Sequence, residues 1–199
     1  KIFLDGVDLM QLNRNSMRLV RSKIQMVFQD PFASLNPRIK VGDIIAQGPE
    51  IQGLTKVEAE GRARELISIV GLDDKAYNRF PHEFSGGQRQ RIGIARSLAV
   101  KPEILIADEP VSALDVSIQA QILNLLDQIR TQMNLSMIFI THDLRVAAQV
   151  CDRLAVMRYG EVVEAGLTSE LFASPQHDYT QSLLAAVPGK AWQEGVFTN

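Results

Sequence analysis

The sequence predicts an α/β protein with a doubly wound, parallel-sheet core, and three observations carry that reading. Short apolar runs at Ile24 to Phe28, Ile104 to Ala107 and Leu135 to Ile140 have the length and composition of buried strands. Between them lie stretches with apolar residues at helical spacing: Ala59, Ala63, Leu66 and Val70, then Ile118, Ile122, Leu125, Leu126, Ile129 and Met133. Strands alternating with helices fold as a parallel sheet covered by those helices. Finally, Asp108 and Glu109 stand at the end of the second run, just before Pro110. In open α/β sheets, ligands bind at the carboxyl ends of strands.

In chain order, Lys1 to Leu9 reads as the end of a strand, an Asp5-Gly6 turn and a short continuation. The charged segment Arg14 to Arg21 leads into the strand Ile24 to Phe28, which Gln29-Asp30-Pro31 breaks, since proline disfavours regular structure at the residue before it. Asp30 to Pro37 is a loop rich in turn residues, and Val41 to Gln47 a short helix ended near Gly48-Pro49. Thr55-Lys56-Val57-Glu58 fits a capping box, opening a helix that Gly71 terminates. No strand-like run falls between about residues 41 and 83. Ser85 opens a further helix through about Leu98, and Lys101-Pro102 separates it from the acid-tipped strand. A long helix from Val116, the strand Leu135 to Ile140 and a short helix Leu144 to Val150 follow. Arg153 to Met157 and Glu161 to Ala165 form a hairpin about Tyr159-Gly160, and from Leu171 the chain is a short helical tail that includes His177 to Pro188.

The 199 residues are 46% hydrophobic, enough for a substantial core, and the formal net charge of −2 carries no basic bias toward nucleic acid or anionic lipid. The single cysteine, Cys151, excludes an internal disulfide and fits a reducing compartment. No run approaches the roughly 18 to 20 apolar residues of a membrane span, and no signal-peptide pattern is visible. Association with a membrane is therefore expected to come through a partner.

Five places carry candidate chemistry. Adjacent strand residues point to opposite sides, so Asp108 and Glu109 divide the work: Asp108 for a Mg²⁺, directly or through water, and Glu109 for a water that attacks a phosphate. The plainer alternative is that two acids mark the strand's exit into solvent. Ser85-Gly86-Gly87-Gln88 is a capping box, and the same helix start offers free N–H groups and a positive end to a phosphate. His142, at a strand end, is placed either to donate a hydrogen bond to a γ-phosphate or to serve structure alone. Gln29 is either a functional amide or an ordinary polar residue, and Asp115 is at the least a cap for the helix from Val116. Arg89, Arg91 and Arg96 read as a solvated helix face, and His82 and His177 have no motif around them.

Taken in order, Gln29, Phe84 to Gln90, Asp108-Glu109, Ser112 to Asp115 and Thr141-His142-Asp143 strongly resemble the nucleotide-binding subunits of ATP-binding cassette (ABC) transporters, over nearly all 199 residues. The resemblance implies a P-loop NTPase-type parallel-sheet core with a helical ABC subdomain, N-terminally truncated. Residues 1–170 become an ABC ATPase domain lacking the P-loop, with the helical subdomain at about 41–100, and residues 171–199 a C-terminal helical extension. It implies ATP and Mg²⁺ as cofactors. Glu109, His142 and Gln29 become catalytic; Ser85, Gly86, Gly87, Gln88 and Asp115 nucleotide-binding; Asp108 and Gln29 metal-binding. By the same resemblance, Ser85 to Gln88 touch the γ-phosphate of ATP held on a second subunit, and Asp115 crosses the dimer interface. A G-x-x-x-x-G-K-[ST] loop is expected upstream of Lys1; the only Gly-Lys pair, Gly189-Lys190, is followed by Ala191. The chain as given is accordingly expected to be inactive alone and to bind Mg-ATP weakly.

Val27 to Pro37 and Pro175 to Leu184 look like the corresponding segments of dipeptide, oligopeptide and nickel importer ATPases. Some of that group carry a cysteine-rich iron–sulfur tail, which one cysteine cannot supply. The implied function is an ATP-hydrolysing subunit that energises import of peptides or a related small solute from the cytoplasmic face of the inner membrane. Its implied partners are a second ABC ATPase subunit (homo- or heterodimer), transmembrane permease subunits and, indirectly, a substrate-binding protein, with no nucleic acid. The alternatives are a cytosolic ABC-type ATPase of DNA maintenance or translation, and a non-catalytic dimerisation module.

Overall fold

The acid-tipped run forms strand β4 (Ile104–Asp108), the middle strand of a parallel three-stranded sheet between β3 (Ile24–Val27) and β5 (Ser136–Ile140) in the computed structural model, which describes residues 1–187. The register sets Val27 beside Ala107 and Ala107 beside Phe139, so the three strands finish side by side. Leu105 and Ala107 are fully buried, as a central strand requires. β5 differs from the expected buried strand: it lies at the edge of this sheet, with Ile138 and Ile140 exposed. Continuous apolar composition does not report which face of an edge strand is covered.

The described residues fall into two compact units, the first Lys1–Ile140 and the second beginning at Thr141. In the first, β1 (Phe3–Leu4) and β2 (Val7–Asp8) make the expected hairpin, with Asp5 and Gly6 both at positive φ as a tight two-residue turn demands. The charged segment before β3 is a helix, α1 (Arg14–Lys23), started by Asn13, whose side chain accepts the N–H groups of Asn15 and Ser16. Pro31 opens a helical turn, α2 (Pro31–Ser34), where the sequence suggested only loop. Proline has no N–H to lose at the first helical position. In the same way α3 (Val41–Ile51) runs through Gly48-Pro49 instead of stopping there. Gly48 has no Cβ to clash with the proline ring that follows, and Val41, Ile44, Ile45, Ala46 and Pro49 are all buried.

Helix α4 (Lys56–Ile69) begins with the expected capping box: Thr55 N–H donates to Glu58 Oε2 at 2.8 Å, and Glu58 N–H to Thr55 Oγ1 at 3.4 Å. It ends at Gly71, φ +73°, with Leu72 N–H bonded back to the Ile67 carbonyl. Its stripe of Ala59, Ala63, Leu66 and Ile67 is buried where α4 packs on α3 and on α5 (Gly86–Leu98). Thr55→Ala is expected to lower Tm by about 2–4 °C by removing this cap. An unchanged melt would mean that packing alone sets where α4 starts. Helix α5 in turn packs on β3, α2 and α6 (Val116–Met133), with Ile92, Ile94, Ala95 and Leu98 buried, so it joins the helical insert to the sheet.

In the second unit, α7 (Leu144–Val150) precedes an antiparallel hairpin of β6 (Arg153–Arg158) and β7 (Glu161–Leu167) that turns at Tyr159 and Gly160, both at positive φ. Helix α8 starts at Thr168, before the expected Leu171, and runs to Ala173; α9 spans Asp178–Ala185. Glu164 accepts the N–H groups of Gln176 and His177 at 2.8 and 3.1 Å, tying the start of α9 to the hairpin. The rest of the expected helical extension, residues 188–199 with Gly189-Lys190, lies outside the described residues.

Candidate active site

Two strand ends supply the centre of the site. Asp108 is the last residue of β4, opposite Ile140 of β5. Glu109 has already left the strand, at φ +45°, with its N–H donated to the Ile140 carbonyl at 2.9 Å. A left-handed backbone is uncommon for a glutamate and persists only where its surroundings impose it. The two acids thus diverge at a turn, not by the strand alternation that the sequence suggests. Ser112 secures the turn, its N–H and its hydroxyl both donating to the Glu109 carbonyl, at 3.2 and 3.1 Å.

Gln29, two residues beyond β3, reaches the same place from 80 residues away in the chain. Its Nε2 donates to Glu109 Oε2 at 2.9 Å and lies 3.4 Å from Ser112 Oγ. The following turn is closed by Asp30, which accepts Ala33 N–H on its carboxylate and Ser34 N–H on its carbonyl. Gln29, Asp30 and Pro31 line one cleft, of about 180 Å³, with Gly86, Arg89 and Gln90 of α5 and with Pro110, Ala113 and Leu114 of the turn after β4.

Ser85 caps α5 reciprocally: Gln88 N–H donates to Ser85 Oγ at 3.3 Å, and Ser85 N–H to Gln88 Oε1 at 3.0 Å. The glycines between them have separate reasons to be glycine. A Cβ on Gly87 would lie 2.5 Å from Ile118 Cγ2 of α6, inside any tolerable contact, whereas one on Gly86 would meet Leu114 Cδ2 at an ordinary 3.5 Å. Gly87 therefore lets α5 and α6 approach, a constraint invisible to local reading.

Asp115 stands at the N-cap of α6, and its carbonyl accepts the N–H groups of Ile118 and Gln119, but its side chain makes no capping hydrogen bond. Gln119 instead braces the turn before α6, its Nε2 donating to the Val111 and Leu114 carbonyls at 3.0 Å each. No sequence signal marked Gln119. The arginines of α5 also depart from expectation. Arg91 donates to the Val70 carbonyl at 2.6 Å and to Gln121 Oε1 at 3.1 Å; Arg96 donates to the Ser34 carbonyl; Arg89 lines the cleft. Arg91 and Arg96 are anchors between elements, not a solvated face, because a guanidinium on a long stem can reach carbonyls that helix periodicity does not reveal.

His142 belongs to the second unit, two residues after β5, and is exposed. Its neighbours fix the chain on both sides. Thr141 Oγ1 accepts Asp143 N–H at 3.0 Å, while Asp143 caps α7 through Arg145 N–H and pairs with Arg145 Nη2 at 2.9 Å. The Arg145 guanidinium holds the Asp143 carboxyl below its ordinary range. That anchor is present above the usual carboxylate pKa and is lost only as pH falls through the depressed value.

Comparison with known proteins gives a consistent set of relatives. The family model described as "ABC transporter" matches residues 1–112. The dipeptide transport ATP-binding protein DppF of Lactococcus lactis is 51% identical over 190 residues, which cover 94% of this chain and 61% of that protein. The oligopeptide transport ATP-binding protein OppF of Bacillus subtilis is 53% identical over 178 residues, 88% of this chain and 58% of that protein. The chain thus spans about three fifths of the length of the curated relatives it matches. Among solved structures, the ATP-binding cassette MJ0796, a dimer in a post-hydrolysis state bound to ADP and Pi, superposes with a TM-score of 0.72 at 29% identity, over 83% of this chain and 72% of that one. CbiO1 from Clostridium perfringens, part of the ABC transporter complex cbiONQ, gives a TM-score of 0.78 at 27% identity, over 94% of this chain and 72% of that one.

Proposed function

The chain belongs to the ABC transporter family and has its P-loop NTPase-type fold, and from that premise we propose that it is the greater part of an ATP-binding and hydrolysing subunit that powers import of peptides or a related small solute. The observation that carries the reading is the 2.9 Å hydrogen bond from Gln29 to Glu109 across the carboxyl ends of parallel strands. It joins an amide and a carboxylate where the fold class places its ligands.

In this reading Glu109 orients a water and takes its proton as that water attacks the γ-phosphate in line. Gln29 holds Glu109 in place. His142 donates a hydrogen bond to the γ-phosphate. The start of α5, Ser85 to Gln88, faces the phosphate of ATP carried by a second subunit, and the Asp115 carboxylate, not used in capping its own helix, is available at that interface. The donor set suits Mg²⁺. Among the described residues no three His, Cys, Asp or Glu side chains cluster as a metal cage. Mg²⁺ commonly takes one or two protein oxygens and fills its shell with phosphates and water. Asp108 offers a carboxylate, and Gln29, whose nitrogen faces Glu109, offers a carbonyl oxygen. The ion would neutralise phosphate charge there.

Relatives named for dipeptide and oligopeptide transport support the substrate class. No helix among the described residues is long and apolar enough to cross a membrane, so in this reading membrane association, at the cytoplasmic face of the inner membrane, comes through permease subunits. The full-length protein is expected to co-purify from solubilised membranes with two polytopic subunits, its ATPase rate rising severalfold on addition of a peptide-loaded binding protein. Co-purification with ribosomes or DNA, and never with membrane subunits, would overturn the assignment.

A further inference from the structure

We propose that Arg96 is a positioning residue for Gln29, acting through the α2 turn. The inference rests on the reading of Gln29 and Glu109 given above. Arg96 sits in the last turn of α5, half-buried, and its Nη1 donates to the carbonyl of Ser34, the final residue of α2. No carboxylate pairs with it among the described residues. Burial accordingly pulls its pKa below the ordinary arginine value, with no acidic neighbour opposing the shift. A desolvated cation answered only by a neutral carbonyl contributes little to stability, and an apolar residue of similar volume often does better.

What the bond does is local. Ser34 N–H and Ala33 N–H are both bound to Asp30, so the segment from Asp30 to Ser34 moves as one piece. Arg96 pins its far end, and its near end presents Gln29 to Glu109 Oε2. The helix that carries Arg96 also carries the Ser85 cap at its other end. One rigid rod therefore sets the position of both the Gln29 turn and the phosphate-facing helix start. Loss of the Arg96 bond frees the turn to shift, and displacement of a positioning amide by about 1 Å is enough to lower a rate markedly.

The test is a double-mutant cycle in the full-length protein. Arg96→Met is expected to lower kcat for ATP about five- to tenfold, with KM changed less than about twofold and Tm unchanged or higher. Arg96→Lys, which still donates to a carbonyl, is expected to recover part of the loss. Gln29→Ala with Arg96→Met is expected to be no slower than Gln29→Ala alone, because the arginine acts only through the glutamine. Additive losses, or a Tm that falls in step with turnover in both Arg96 variants, would overturn the proposal. A slow Gln29→Ala beside a normal Arg96→Met would overturn it while leaving the site reading intact. Normal turnover in both Gln29→Ala and Glu109→Gln would overturn the site reading and this proposal together.

Discussion

Glu109→Gln in the full-length protein is expected to reduce ATP turnover by about 10²- to 10⁴-fold while ATP binding and ATP-dependent dimerisation persist. The substitution keeps the side chain's shape and removes its capacity to take a proton. The surroundings survive it: Gln29 Nε2 donates to Glu109 Oε2, a role the glutamine oxygen can fill, and the bond from residue 109 N–H to the Ile140 carbonyl belongs to the backbone. The left-handed conformation at residue 109 and the Ser112 bonds to its carbonyl are likewise independent of the side chain's charge. Single-turnover hydrolysis with radiolabelled ATP measures the loss, and sedimentation with ATP reports the dimer. Turnover within about threefold of wild type would remove Glu109 from the base role, since general-base assistance is worth at least about 10²-fold. A variant that binds no ATP would point instead to a structural part for the carboxylate.

How far the sequence carried differs between kinds of feature. Periodicity or caps were enough for α4, α5 and α6: the apolar stripes of α4 and α6 are largely buried, and Thr55 and Gly71 bound α4 while Ser85 starts α5. The motif order located Gln29, Asp108 and Glu109, and the fold brings Gln29 and Glu109 into contact. What escaped was decided by tertiary packing or by special backbone geometry. Pro31 and Pro49 both lie within helices, because the first sits where its missing N–H is harmless and the second follows a glycine in a helix with a deeply buried face. The positive φ of Glu109 has no local glycine to announce it. The roles of Arg91 and Arg96 depend on carbonyls 21 and 62 residues away along the chain, which no local window contains, and Gln119 reaches back across the turn before α6 to carbonyls 8 and 5 residues away.

The two glycines at the start of α5 are expected to separate folding from function. Gly87→Ala is expected to destabilise the fold by about 1–3 kcal/mol, because overpacking forces neighbours off their preferred positions. The added methyl would collide with Ile118 Cγ2 at 2.5 Å, and that branch methyl sits too close to the α6 backbone to swing away as the end of a long side chain could. The helix propensity gained in replacing glycine, at most about 1 kcal/mol, offsets only part of this. At Gly86 the contact with Leu114 is ordinary, so Gly86→Ala is expected to melt within about 2 °C of wild type. A bulky replacement there, Gly86→Leu, is expected to weaken ATP-dependent dimerisation at least about tenfold, since a side chain at the helix start keeps a phosphate from the backbone N–H groups. Thermal melts and sedimentation with and without ATP distinguish the two positions. A Gly86→Leu protein that dimerises normally would remove this helix start from phosphate binding. One that unfolds would show that the Ser85–Gln88 cap serves the fold first.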